Sequence, residues 1–485
     1  MQKRSASDQP DTISTETDSL VAIDVPMAAL WGPQTALSLR FFAIGQQTMP
    51  LEIIHAMAQI KRAAAETHLD LGLLDEAKAH AIAHAAERVA TGEFDDQFPL
   101  SVWQTGSGTQ SHMNVNEVIA KLATRALYRQ VHPHDDVNRG QSSNDVFPSA
   151  MHIAVVQLSR ALLISLAGLR DALQRKADSF GRDVKIGRTH LQDAIPITWA
   201  QEFSGYLAQL GLAERAIRHA LPAVYELAIG GTAVGTGLNT HPAFGQQVAQ
   251  RLAERLDEPF VVAPNLFAAL AGHEALVSLH GALRTLCVAL IKIGSDIRLM
   301  GSGPRAGIGE LQLPANEPGS SIMPGKVNPT QIEALLMVCA QVMGHDVAIG
   351  IAASQGQFEL NVYKPLIAYN SLDSLRLLSD AMSSFASHCV DGIQIDTAHS
   401  TSLLHRSLML VTALVPHMGY DRAALIALRA HAQGSSLREA AIEVGGISAA
   451  EFDAWVNPED MVGNGRTVKS AAGPSGSATA SPSHP

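Results

Sequence analysis

The chain has 485 residues, 46% of them hydrophobic and only 5% aromatic, so it can bury a large core, and its wealth of Ala and Leu leans towards helices. A net charge of -11 without a Lys/Arg cluster excludes a phosphate-binding face and with it a nucleic-acid partner, but an anionic small substrate senses only the local field. No run of 18 uncharged apolar residues occurs, and residues 1–20 carry Asp8, Asp11, Glu16 and Asp18 without an apolar stretch. Neither a membrane span nor a signal or transit peptide is expected, and the protein reads as soluble and cytoplasmic.

Residues 1–20 and 466–485 are polar, small-residue tails expected to remain disordered. From Ser38 to about Gly92 the pattern is largely helical, clearest in LDEAKAHAIAHAAERVA; DDQFPLSVWQTGSGTQ then breaks it. MNVNEVIAKLATRALYR restarts a helix, VHPHDDVNRGQSS interrupts again, and the next helix starts at about Asn144. Leu276, Leu279, Leu283, Leu286, Leu290, Ile293 and Ile297 then alternate steps of three and four, a heptad seam over a helix expected from about His273 to Met300. Leu162, Leu166, Leu169 and Leu173 repeat the seam earlier, and Ile332, Leu335, Cys339 and Val342 repeat it later. Several long seamed helices imply a bundle with left-handed crossings. Cys287, Cys339 and Cys389 are widely spaced among apolar residues and read as reduced core thiols.

Between the last two seams lies GSGPRAGIGELQLPANEPGSSIMPG, residues 301–325, with six glycines and four prolines, so no long helix or strand can run through it. A plain solvated linker would not need Ile308, Leu311, Leu313, Ile322 and Met323, which favours a functional loop. Asn328-Pro329 after it suits a helix cap and first helical position. With Lys326 adjacent, that helix start favours an anion.

Four breaks share small hydroxyls, amides and glycine: Thr105–Gln110, Gln141–Asp145, Lys185–Asp193 and the loop with Gly319-Ser320-Ser321. Singly each is a turn or a cap. Together, at helix ends of a bundle, they suggest a polar pocket whose donors suit a carboxylate. His190 stands out among 20 histidines because it lies in such a break, where a group titrating near neutrality can act as acid or base. No HExxH or CxxC spacing surrounds it, so no metal is expected, and no GxSxG elbow points to a serine nucleophile.

GSSIMPGKVNPTQIEAL resembles the signature loop of the fumarase and aspartase superfamily. TGSGTQ, VNRGQSSNDVFPSAMHIA, KIGRTHLQDAIPIT, GGTAVGTGLNTHP and FELNVYKP resemble the class II fumarase versions of its other segments, over about residues 20–463. The resemblance implies a mainly α fold of three domains: an N-terminal one over 21–141, a central long-helix bundle over 142–397 and a small C-terminal one over 398–465. It implies a homotetramer whose active sites draw on three subunits, which would give the seams their further partners. The implied activity is reversible hydration of fumarate to (S)-malate, without metal or cofactor, through an aci-carboxylate intermediate.

Carried over by position, Lys326 and Asn328 would bind the substrate carboxylate, in a site that also includes Ser107, Gly108, Thr109, Ser142, Ser143, Asn144, Thr189, Ser321 and Val327. Ser320 matches the family's base for the carbon-bound proton, and loop N–H groups would have to lower its pKa. His190, oriented and charged by Glu333, would handle the departing water. A second dicarboxylate site is implied near Arg129, His132, Pro133, His134 and Asp135, where His134 replaces an expected Asn and turns a neutral amide into a titratable ring. His112 likewise replaces an expected Asn beside the pocket.

Overall fold

The computed structural model describes residues 13–17 and 22–463; the expected 466–485 tail lies outside the described residues. In chain order come β1 (Ile13–Thr17), β2 (Ala22–Pro26), α1 (Pro33–Phe41), α2 (Leu51–Asp70), α3 (Glu76–Ala90), α4 (Thr109–Leu127) and the 38-residue α5 (Ser143–Phe180). A hairpin of β3 (Val184–Thr189) and β4 (Gln192–Thr198) leads to α6 (Trp199–Val224), β5 (Glu226–Leu227), α7 (Phe244–Leu256), β6 (Val261–Val262), α8 (Leu266–Ala271) and α9 (Glu274–Met300). After the long loop follow β7 (Leu311–Gln312), α10 (Thr330–Ala353), α11 (Lys364–His388), β8 (Gln394–Ile395), α12 (Thr397–Arg406), α13 (Val415–Met418), α14 (Tyr420–Gln433), α15 (Leu437–Glu443) and α16 (Ala449–Trp455). The fold is mainly α, as expected. One expectation fails at the start of the chain: Ile13–Thr17, inside the supposed N-terminal tail, pairs antiparallel with Ala22–Pro26.

The chain divides into two compact units. One holds the residues up to Ala167, Gly211–Lys292 and Glu333–Ser383; the other holds Gly168–Leu210, Ile293–Ile332 and everything from Ser384 on. The divisions fall inside the long helices α5, α6, α9, α10 and α11.

Every seam residue is buried, from Leu276 through Ile297, at Leu162, Leu166, Leu169 and Leu173, and at Ile332, Leu335, Cys339 and Val342. Alternating steps of three and four keep one stripe facing inward along the whole helix, which removes its apolar area from water. In the first unit polar bonds tie the helices as well. His280 on α9 reaches Asp346 on α10 at 3.0 Å and Ser374 on α11 at 2.9 Å, and Ser165 on α5 meets Ser379 on α11 at 2.7 Å. In the second unit Tyr206 on α6 donates to Asp296 on α9 at 3.2 Å, and Leu404, Leu414, Ile426, Ala440 and Phe452 form a separate core. Local signals set the shorter helices: Asp75 caps α3 through Lys78 N, and Ser436 and Ser448 form capping boxes with Glu439 and Glu451. The three cysteines are buried and free.

By length and mean hydropathy α5, α9 and α10 could each cross a membrane, although charged residues interrupt their apolar runs. About half of the most apolar window is buried for α5 and α9, but only 28% for α10. Met337, Val347 and Ile351 leave α10 with uncovered apolar side chains in the single chain.

Burial drives the imidazoles of His68 and His152 down to about 4, and those of His112 and His273 well below their ordinary range. Such groups take up protons on unfolding, so their stabilising contribution is full above about pH 6.5 and is lost as pH falls through about 4. The urea midpoint should therefore drop steadily across that window, and His152→Leu should flatten the slope.

Candidate active site

The first unit assembles two of the polar breaks. In Thr105–Gln110, the Gly106 carbonyl accepts from Lys364 N at 3.0 Å, and a Cβ on Gly106 would stand 1.3 Å from the Val362 carbonyl oxygen. Only glycine allows so close an approach. Gly108 has φ 77 and would drive a Cβ to within 2.3 Å of the Phe147 ring, so α4 packs on α5 through a bare backbone. The turn leaves Ser107 Oγ and Thr109 Oγ1 2.7 Å apart and half-buried.

At the start of α5, Ser143 Oγ lies 2.8 Å from His112 Nδ1, one turn into α4, which brings Ser107–Thr109 and Ser142–Asn144 into one neighbourhood. Asn144 Nδ2 donates to Ala233 O at 2.8 Å. Asp145, fully buried, accepts from Ser142 N at 2.9 Å and from Gly230 N and Thr232 N at 3.0 Å each. Burial pushes its carboxyl up to about 6 against the pull of these N–H groups and of Lys61. Asp145 ends the Gln141–Asp145 break but has no separate role assigned to it from sequence. The available signal was a carboxylate in the first turn of a helix, next to unpaired N–H groups.

The second unit carries the other two breaks. Thr189 and His190 sit at the tip of the β3–β4 hairpin, exposed, with φ 56 at His190 and φ 60 at Leu191. The hairpin shifts register between Ile186 and Arg188, where a Cβ on Gly187 would meet the Ile195 carbonyl at 2.5 Å. Arg188 Nη1 donates to Glu310 Oε2 at 2.7 Å, and Lys185 Nζ to Glu202 Oε2 at 3.1 Å. Glu310 is fully buried at the base of the 301–325 loop, and its backbone carbonyl accepts from Asp396 N at 2.9 Å. Glu310 therefore ties the loop base to the strand that ends at Thr189.

Within the loop, Ser320 Oγ accepts from Ile322 N at 3.2 Å and Met323 N at 3.0 Å. Gly319 N donates to Lys326 O at 2.8 Å, Asn328 Nδ2 donates to Gly319 O, and a Cβ on Gly319 would lie 2.5 Å from Lys326 O. One expectation is corrected here. The helix starts at Thr330, one residue after Pro329, and Asn328 gives its amide to the loop. Ile322 and Met323 are 83% and 48% exposed. Ser321, Lys326 and Val327 are exposed too, and Glu333 lies half-buried in the first turn of α10.

Of the expected second-site residues, His132, Pro133 and His134 line a cavity of about 320 Å3 together with Trp31, Gln34 and Lys121. His134 Nε2 lies 3.2 Å from Gln34 Nε2. Arg129 and Asp135 do not line it: Arg129 pairs with Asp75 at 3.2 Å, and Asp135 N donates to His132 Nδ1 at 3.1 Å.

Two family models match the chain, one described as Lyase over residues 22–344 and one as Fumarase C C-terminus over 410–463. The chain belongs to this lyase family, in its class II fumarate hydratase branch. It is 61% identical over 458 residues to fumarate hydratase class II of Chromobacterium violaceum, with 93% of this chain and 99% of that one covered. It is 58% identical over 455 residues to the protein of that name from Thermosynechococcus vestitus, covering 92% and 97%. Among solved structures, recombinant class II fumarase from Schistosoma mansoni superposes with a TM-score of 0.90 at 45% identity, covering 93% of this chain and 99% of that one.

Gly108→Ala should cost about 1–3 kcal/mol from overpacking against Phe147 and a left-handed backbone. Gly281→Ala, where a Cβ meets nothing within 4 Å, should leave the urea midpoint level or raise it.

Proposed function

We propose that this chain is a fumarate hydratase, a hydro-lyase that interconverts (S)-malate and fumarate plus water. The observation that carries the reading is the environment of Ser320, whose Oγ faces two backbone N–H groups in a loop that its own glycine and lysine close. Relatives of the same name at 58–61% identity over almost the whole chain support the substrate class, a small dicarboxylate.

Removing a proton from the carbon beside a carboxylate leaves a doubly charged aci-carboxylate, and preorganised donors must hold that charge. Lys326, with Asn328 and the hydroxyls of Ser107, Thr109, Ser142, Ser143, Thr189 and Ser321, supplies such donors, and the amide of Asn144 adds another. Ser320, kept as alkoxide by the N–H groups of Ile322 and Met323, takes the carbon proton. His190, oriented and charged by Glu333, protonates the leaving hydroxyl in dehydration and activates water in hydration. No step in this scheme calls for a metal.

Thr189, His190, Ser321 and Lys326 are exposed in the single chain, and α10 keeps apolar side chains uncovered. These features support a homotetramer in which each site draws residues from three subunits. We propose the three domains 21–141, 142–397 and 398–465 as its building blocks, a cytoplasmic location, and a second dicarboxylate site reduced to His132, Pro133 and His134.

Loss of fumarate's ultraviolet absorbance tests the reading, with aspartate and mesaconate run beside it. Fumarate should be turned over best, and turnover should survive dialysis against a chelator. Ser320→Ala and His190→Asn should each lower kcat by about 10²–10⁴; full activity in both would overturn their roles. Gly319→Pro removes the N–H given to Lys326 and should reduce kcat far more than it lowers the melting temperature.

A further inference from the structure

Lys61 lies in the middle of α2 and is fully buried. Its Nζ stands 2.6 Å from His112 Nε2, 2.9 Å from Asn138 Oδ1 and 3.0 Å from Gln141 Oε1. Neighbouring carbonyls fix the orientation of both amides. Asn138 Nδ2 donates to Gln141 O at 3.2 Å, and Gln141 Nε2 donates to Val137 O at 3.2 Å and Arg139 O at 3.1 Å. Each amide therefore turns its oxygen to the lysine. Three acceptors surround a group that, as an ammonium, has three N–H donors.

The charge form of Lys61 decides what His112 does. A neutral amine has two protons, both taken by the amide oxygens, and its lone pair would ask His112 for a donor. Burial lowers the pKa of Lys61 well below its ordinary range, and the nearby Asp145 carboxylate works against that shift; the geometry sides with the ammonium, the form that satisfies all three acceptors. His112 then keeps its Nε2 lone pair towards Lys61. A neutral imidazole with a bare Nε2 carries its proton on Nδ1, and Nδ1 lies 2.8 Å from Ser143 Oγ. Burial and the Lys61 charge both keep His112 from taking a second proton.

We propose that Lys61 and His112 are positioning residues that set the direction of the Ser143 hydroxyl. With His112 Nδ1–H donating to its oxygen, Ser143 is left with its own O–H to give away. At the N-terminus of α5 that proton is available to a substrate carboxylate oxygen. The inference rests on the reading of Ser143 as a carboxylate ligand. It also accounts for histidine at a place where the family resemblance leads one to expect asparagine. An amide presents one acceptor and one donor, the polarity that the neutral imidazole reproduces here. A carboxylate at 112 would have acceptors only, so the Ser143 proton would turn back towards it and be lost to the ligand.

The test is a set of steady-state measurements on fumarate with the full-length protein, with melting temperature and size-exclusion elution recorded for every variant. Wild-type turnover comes first, and its absence would remove the hydratase reading itself. Given turnover, His112→Asn should keep kcat/KM within about threefold, whereas His112→Asp and Lys61→Met should each lower it about 10- to 100-fold, mainly through KM, the worth of one charge-assisted hydrogen bond. In a Ser143→Ala background, His112→Asp should add little further loss, because the hydroxyl it misdirects is gone. Additive losses from His112→Asp and Ser143→Ala, or wild-type kcat/KM in Lys61→Met, would overturn the proposal while leaving the hydratase reading intact. If His112→Asp fails to fold, the cycle is run with Lys61→Met and Ser143→Ala under the same criterion.

Discussion

The continuous apolar seams of the long helices constrain everything else. A stripe such as Leu276 to Ile297, buried at every third or fourth residue, leaves little room for polar groups along the helix body that are not themselves paired. The His280–Asp346–Ser374 cluster is such a paired exception. The donors proposed for the ligand accordingly lie where helices begin, at Thr109, Ser143 and the approach to Thr330, or at the tip of a hairpin. Chemistry collects at the helix ends because the middles are committed to packing.

Loops at those ends have too few apolar side chains to hold themselves, and buried carboxylates do part of that work. Asp145 gathers the N–H groups of Ser142, Gly230 and Thr232; Glu310 holds Arg188 beside the loop base. Glu117 does the same near the chain start, taking Gly32 N and Gln34 N at 2.9 Å each and Thr35 Oγ1 at 2.6 Å. A charge-assisted bond to backbone N–H fixes a loop without help from its side chains, which are then free for function.

Much of this was legible in the sequence. The seams follow from periodicity, and each residue named from them is buried, because a stripe that regular has no other purpose in a folded chain. The loop followed from glycine and proline content. Partners distant in sequence were not legible. Lys61 gave no sign of reaching His112, 51 residues away, nor Arg188 of reaching Glu310, 122 residues away, since such pairings depend on packing that no local pattern encodes. Ile322 and Met323 set the loop apart from a solvated linker, but composition alone does not tell that both stay exposed within one chain. The strand Ile13–Thr17 was missed because composition reports what a segment can bury, and two short strands can pair by backbone alone.

The bonds from Gly319 to Lys326 and Asn328 have a thermodynamic consequence. They pin a stretch of ten residues at its ends, and Ser320 accepts two N–H bonds from inside it. Fixing a free backbone costs about 1–2 kcal/mol per residue. A segment already pinned has given up most of that freedom during folding, so a ligand bound there would demand no fresh ordering of it. More of the attraction between ligand and loop then remains as affinity.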